Sequence, residues 1–345
     1  MNRLLLLSRI ALLWALNTVM FTSCDDSIVY EGEGDCPVHY RIGFKYDKNM
    51  KFADAFSHEV SSVALYVFDL SGVLVFQGTE SGAQLADDYT MSIEVRPGEY
   101  ELLAWCGLGD GESFTVPQAK IGVTTKDELV CKMNSVAMNG CRVVQDDLSP
   151  LFHGFAKVTL ADKPGVHVNT ISLTKNTNVV RVILQQLSGE DVEPDLFSFE
   201  IQDRNGLMAY DNSILDDGLV IYKPWNLSTG NADINAEIRN DVQTRASSTV
   251  GVVVAEMTTG RLVEENAPVL VVRNQKKGEV VLAIPLVDYA LLVKGHYNRN
   301  MSDQDYLDRQ DEYNLTFFLD ESGRWISSSV VVNSWRVVLN NQTIN

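Results

Sequence analysis

Short runs of alternating apolar residues recur along this 345-residue chain, about ten residues apart and separated by turn residues. Residues 38–46 alternate as a half-buried strand does, and 62–68 is rich in β-branched and aromatic residues. Asp69-Leu70-Ser71-Gly72 has turn chemistry, so 73–76 should return as the second arm of a hairpin. Between them, residues 48–55 predict a short helical turn, with Phe52 and Phe56 at helical spacing. Met91, Ile93 and Val95 alternate with Ser92 and Glu94, and Arg96-Pro97-Gly98-Glu99 follows. Proline there suits the second position of a type II turn and glycine the third, so 100–105 is expected to run back. Such a chain, with many short strands and few helices, must stack or close its sheets.

Residues 107–147 are less regular and predict loops and a short hairpin, and 156–160 reads as the last strand of a first domain. Ala161-Asp162-Lys163-Pro164-Gly165 has boundary composition, which divides the mature chain into domains at 37–162 and 163–345. The second half repeats the logic. Strands are expected at 170–173, 179–184, 250–254, 268–272, 279–286, 313–319, 325–332 and 335–339. Residues 196–201 and 207–210 should pair across Asn205-Gly206, a dipeptide that favours a tight hairpin. Residues 297–310 are polar and fit either a helix or an ordered loop.

The amino end is of another kind. Arg3 and Arg9 precede and interrupt a short apolar stretch that closes on Phe21-Thr22-Ser23-Cys24. That is the layout of a secretory signal, too short for a spanning helix of about 20 apolar residues. Cysteine directly after small residues resembles the bacterial lipobox, which predicts a signal peptide at 1–23 and lipidation of Cys24. Residues 24–36, polar and Gly-rich, then form a tether, and Asp25-Asp26 resembles the surface-export signal of Bacteroidetes lipoproteins. Each buried methylene contributes about 0.8 kcal/mol, so two or three acyl chains hold a protein firmly where one does not.

Net charge is −18, and loss of Arg3 and Arg9 leaves the mature chain more acidic still. Such a surface repels nucleic-acid phosphates and excludes that class of partner. Four cysteines remain after Cys24: Cys36, Cys106, Cys131 and Cys141. In an exported chain they permit disulfides in three pairings, with Cys131–Cys141 preferred as a loop staple.

Motifs for chemistry are sparse. The five histidines show no ligand spacing, and no serine lies in a G-x-S-x-G elbow. Gly107-Leu108-Gly109-Asp110-Gly111 matches no phosphate-binding loop. The aspartate pairs 87–88, 146–147 and 216–217 read as solvated turns, because neighbours on a strand face opposite ways. Asp303, Asp305, Asp308 and Asp311 are dense enough to raise calcium, but the EF-hand glycine and terminal glutamate are missing. Trp105, Trp225, Trp325 and Trp335 read as core rather than as a carbohydrate face. The expectation is a non-enzyme with no catalytic residue, cofactor, metal or small-molecule substrate.

Strand, Pro-Gly turn and a strand opening on Tyr100 resembles the transthyretin-like sandwiches of exported proteins. Leu65-Tyr66-Val67-Phe68-Asp69, Asn49 to Phe56, Leu173 to Asn178, and Tyr306 to Leu319 with Trp325 and Asn333-Ser334-Trp335 carry a wider likeness. Together they resemble the Bacteroidales fimbrial anchor and accessory lipoproteins (FimB/Mfa-type). That resemblance implies an all-β chain of two transthyretin-like β-sandwich domains in tandem after a lipoprotein signal peptide. It implies a subunit held in the outer-membrane lipid by acylated Cys24, surface-exposed and part of the fimbrium. Such a subunit attaches the fimbrium, limits its length, and binds shaft and accessory subunits by strand addition. The alternative is a surface lipoprotein that binds glycans.

Overall fold

The computed structural model describes residues 38–82, 85–109, 111–234, 248–295 and 298–338. Among them, strands numbered along the chain form five sheets, and the chain is all-β with three short helices. The first sheet has the order β11 (Gly165–Ser172), β1 (Val38–Lys45), β4 (Thr90–Ile93). The second runs β12 (Thr174–Lys175), β10 (Phe152–Leu160), β5 (Gly98–Cys106), β2 (Ser62–Phe68), β3 (Leu74–Ser81). A six-stranded sheet follows: β18 (Asn226–Ile234), β19 (Ser248–Gly260), β13 (Thr177–Gln186), β22 (Glu312–Leu319), β23 (Trp325–Val332), β24 (Trp335–Val338). Another holds β21 (Glu279–Pro285), β20 (Val269–Asn274), β14 (Phe197–Asp203), β17 (Val220–Tyr222), β9 (Cys141–Val144), β8 (Val136–Met138). A small sheet joins β16 (Ile214–Leu215), β15 (Leu207–Met208), β7 (Cys131–Met133) and β6 (Phe114–Thr115). The helices are α1 (Phe56–Glu59), α2 (Leu286–Leu291) and α3 (Asp303–Arg309).

Where turn chemistry is local, the sequence expectation holds. β2 and β3 form the expected hairpin, closed by Asp69, whose Oδ1 accepts the amides of Ser71 and Val73 at 2.9 and 3.0 Å. β20–β21 and β22–β23–β24 also pair as consecutive antiparallel arms.

Three expected turns are different objects. β4 pairs only with β1, while β5 lies between β2 and β10, so Arg96-Pro97-Gly98-Glu99 carries the chain from one sheet to another. Gly98 is near-extended at φ 158°, and the Tyr100 hydroxyl donates to the Arg96 carbonyl at 2.9 Å, pinning the corner. Asn205-Gly206 likewise separates β14 and β15, which belong to different sheets. Asn205 is fully buried and its side chain bonds Tyr222 and the Arg261 carbonyl, so it is unavailable for a solvated turn. The helical turn expected at 48–55 is an irregular loop, and the helix begins only at Phe56.

Strand pairing does not divide at residue 162. β11 and β12 follow that point in sequence yet pair in the first two sheets, while β8 and β9 precede it and join the sheet of β14, β17, β20 and β21. The described residues of 39–162 and 166–338 pack as one unit. Burial explains this. Every residue from Glu101 to Cys106 is buried, so central strand β5 is covered on both faces. Leu103 and Trp105 join a core cluster with Val180, Leu184, Ile201 and Leu315 from the later strands. On the other face, Gly154 of β10 lies so close to the end of β11 that an added Cβ would sit 2.4 Å from Ile171 and 2.8 Å from Leu173, the residue after that strand.

The preferred Cys131–Cys141 staple does not form. Cys106, Cys131 and Cys141 are free thiols. Cys131 opposes Met208 in the small sheet, whereas Cys141 opposes Met138 across the β8–β9 hairpin of another sheet. Burial pushes the Cys106 and Cys131 thiols well above the ordinary range. Cys24 and Cys36 lie outside the described residues, as does the signal segment.

Candidate functional site

The carboxylate-dense run falls on α3 and the residues after it, and each carboxylate has a cation. Ser302 caps the helix by accepting the Asp305 amide at 3.0 Å. Buried Asp308 accepts both Nε and Nη2 of Arg261, at 2.8 and 3.0 Å, Lys48 Nζ at 3.0 Å, and Gln304 at 2.8 Å. Burial alone would raise its pKa, but Arg261 and Lys48 outweigh burial and hold it below the ordinary value. Asp305 pairs with Arg309, Asp303 with Lys294, and Asp311 with Lys175, which also reaches Glu59 at 2.9 Å. The oxygens point to different partners rather than to a common centre. Among the described residues no group of His, Cys, Asp and Glu could hold a metal ion. What the run does is mechanical: it joins the loop after β1, α1 and β12 to β19's end and α3.

A second buried polar joint lies on the covered face of the five-stranded sheet. His153 places Nε2 2.7 Å from the Tyr210 carbonyl and its ring edge-on to Trp105. Burial lowers its pKa to about 4, against the opposing pull of that carbonyl, so the ring is neutral and donates through Nε2. Asn176 and Asn212, both buried, exchange amide hydrogen bonds at 2.6 and 3.1 Å. Of the other histidines, His39 and His58 are exposed and His167 is half-buried beside Tyr40; His296 lies outside the described residues.

The tryptophans divide. Trp105 is fully buried and Trp325 packs on Phe317 and Tyr289, as a core reading expects. Trp225 and Trp335 are 38% and 69% exposed; Trp225 precedes β18 and Trp335 opens β24, the two terminal strands of the same six-stranded sheet among the described residues.

Terminal strands can also bind a partner, since each presents unpaired backbone groups. The start of β3 is covered: Leu74 bonds the Thr124 carbonyl at 2.9 Å and accepts the Gly122 amide at 2.8 Å. β4 has four residues and β21 opens on Glu279. β18 carries Asp233 and β24 carries Arg336, and β6, β8, β12 and β16 have two or three residues each, whereas β11 is longer than those four and free of such side chains. It runs eight residues, Gly-Val-His-Val-Asn-Thr-Ile-Ser, without Lys, Arg, Asp, Glu or Pro, and Val166 and Val168 are 58% and 57% exposed. Among the described residues it is the terminal strand of its sheet, paired on one side by β1. Sequence reading placed a strand only from residue 170; the alternation of Val166, Val168 and Thr170 was the available signal.

The family model for fimbrillin-A associated anchor proteins Mfa1 and Mfa2 matches residues 33–341. Among solved structures, an adhesin candidate from Bacteroides thetaiotaomicron is 31% identical with a TM-score of 0.78, covering 88% of this chain and 99% of its own. A candidate polysaccharide-binding protein from the same organism is also 31% identical, with a TM-score of 0.74 and the same coverage. The fimbrial anchor protein Mfa2 from Porphyromonas gingivalis has the same fold, with a TM-score of 0.65 at 16% identity over 88% of this chain and 100% of its own. Among curated proteins, none matches.

Proposed function

This chain belongs to the fimbrillin-A associated anchor family, and from that premise we propose that it tethers a surface fimbrium to the cell through lipid on Cys24. The family is fimbria-associated, which places the protein at the cell surface. In this reading Cys24 carries acyl chains in the outer membrane, and the folded part binds shaft or accessory subunits by strand addition, regulating assembly and length. The observation that carries the reading is the span of the family match, which takes in both halves of the mature chain. The valine-bearing β11, which has no Lys, Arg, Asp or Glu, supports strand addition, because an incoming strand gains main-chain hydrogen bonds there. No catalytic residue, cofactor or metal is assigned.

Replacing Cys24 by Ala in the native host tests the tether. Fimbrial polymer is expected to move from cells to medium while the variant is still exported. Retention of polymer on cells would remove the anchor reading. A second reading, glycan binding at the surface, draws on the likeness to the polysaccharide-binding candidate. A glycan array probed with residues 37–345 separates the two, since the anchor reading expects no saturable signal.

A further inference from the structure

Phe52 is an outlier twice over. Its backbone is left-handed at φ 54°, a region that costs a non-glycine residue about 1 kcal/mol or more. Its side chain is 59% exposed, so no burial compensates that strain. The loop holding it is not loose. Buried Asn49 donates to the carbonyls of Tyr46 and Ala53 at 2.8 and 2.7 Å and accepts the Lys51 amide at 3.0 Å. The Phe52 amide bonds the Asn49 carbonyl at 3.2 Å, and Asp54 Oδ1 accepts the amides of Tyr46 and Phe56. One side of the ring rests on the Arg309 guanidinium, 5.1 Å from the ring centroid, and Arg309 is fixed by Asp305 and the Asp47 carbonyl. A strained, pre-ordered aromatic is thus held out toward solvent.

We propose that Phe52 is a docking knob that enters an apolar pocket on the fimbrial subunit this chain holds, with Lys51 meeting a carboxylate at the pocket rim. This rests on the anchor reading and adds a second contact, remote in kind from strand addition. A protein pocket fits better than a glycan. Phe has no polar tip, and the hydrogen-bonding groups around the ring are engaged within the loop, leaving few to meet sugar hydroxyls. Lys48 and Arg309 are already paired, whereas Lys51 is exposed and has no carboxylate among the described residues. A rigid aromatic also loses little conformational entropy on docking, which suits an interface anchor.

The test pairs stability with retention. Phe52→Gly and Phe52→Asn both accept a left-handed backbone, so purified variants are expected to keep or raise Tm. In the native host the same variants should lower cell-retained fimbrial polymer about tenfold relative to the parent. If Tm holds and polymer stays on cells while Cys24→Ala still sheds it, the knob is overturned and the anchor reading stands. If Cys24→Ala also retains polymer, both fall. A large drop in Tm for both variants overturns the knob as well, since the ring would then serve as a cover for Arg309. Loss of a saturable glycan-array signal in the variants, with polymer retained, assigns the ring to a glycan instead.

Discussion

Two buried titratable residues set opposite pH dependences. Asp203 is 2% exposed; its Oδ1 accepts the Arg204 amide at 2.7 Å, while Oδ2 has no hydrogen-bond partner. Burial raises its pKa to about 6 from an ordinary 3.8, so its contribution to stability is complete below about pH 4 and lost as pH rises through 6. His153 runs the other way. Its pKa falls to about 4 from 6.5, so its contribution is present above 6.5 and lost as pH falls toward 4. The two windows overlap and partly cancel. Asp203→Asn is therefore expected to stabilise by about 3 kcal/mol at pH 7.5 and by almost nothing at pH 4, on a scale of about 1.4 kcal/mol per pKa unit. It should also expose the His153 slope. Urea unfolding between pH 4 and 8 checks this, and a pH-independent gain would show that Asp203 is not the titrating group.

At the scale of elements, backbone sign and edge chemistry matter more than apolar content. The β23–β24 hairpin turns on Asn333 and Ser334, at φ 45° and 71°, a pair of left-handed residues that matches strand twist. Asn333 is well placed there, and it also accepts the Asn314 amide at 2.7 Å. Serine is not, so Ser334→Gly should raise stability by about 0.5–1 kcal/mol, measured as a higher Tm. For β11, Val168→Lys puts a charge on an exposed edge position without touching the core. Unchanged Tm with release of polymer into the medium is the expected result. Polymer retained on cells would move the receiving edge to another strand. Two Asn-Gly pairs illustrate how context decides. Asn139-Gly140, at φ 52° and 80°, closes the β8–β9 hairpin, whereas Asn205-Gly206 is buried under the Arg142 guanidinium and turns no hairpin.

Across the whole molecule, the Lys48–Asp308–Arg261 joint ties segments more than two hundred residues apart. The Asp308 side chain is 5% exposed, and removing it would leave the Arg261 guanidinium, 14% exposed, without its carboxylate. Asp308→Ala should cost about 3–5 kcal/mol. The exposed Arg204–Asp216 pair is the control; Arg204→Ala should cost less than about 1 kcal/mol. Equal effects in chemical denaturation would contradict a structural role for the buried joint. Coverage of the five-stranded sheet on both faces has the same consequence, coupling early strands to the later core.

The sequence by itself determined the all-β class, the hairpin at Asp69, the late strands and the family likeness. These depend on period-two burial and on turn residues acting within a few positions of one another. It did not reveal that β4 and β5 occupy different sheets, that β8 and β9 join a later sheet, or that β13 pairs in parallel with β22. Periodicity records which face of a strand is apolar but carries no information about which edge meets which, because backbone hydrogen bonds are the same for every residue type. The acidic run, too, resembled a ligand cluster until folding brought Lys48, Lys175 and Arg261 to it. Only the tertiary structure could turn those charges into ion pairs, and only it placed Phe52 outside the core.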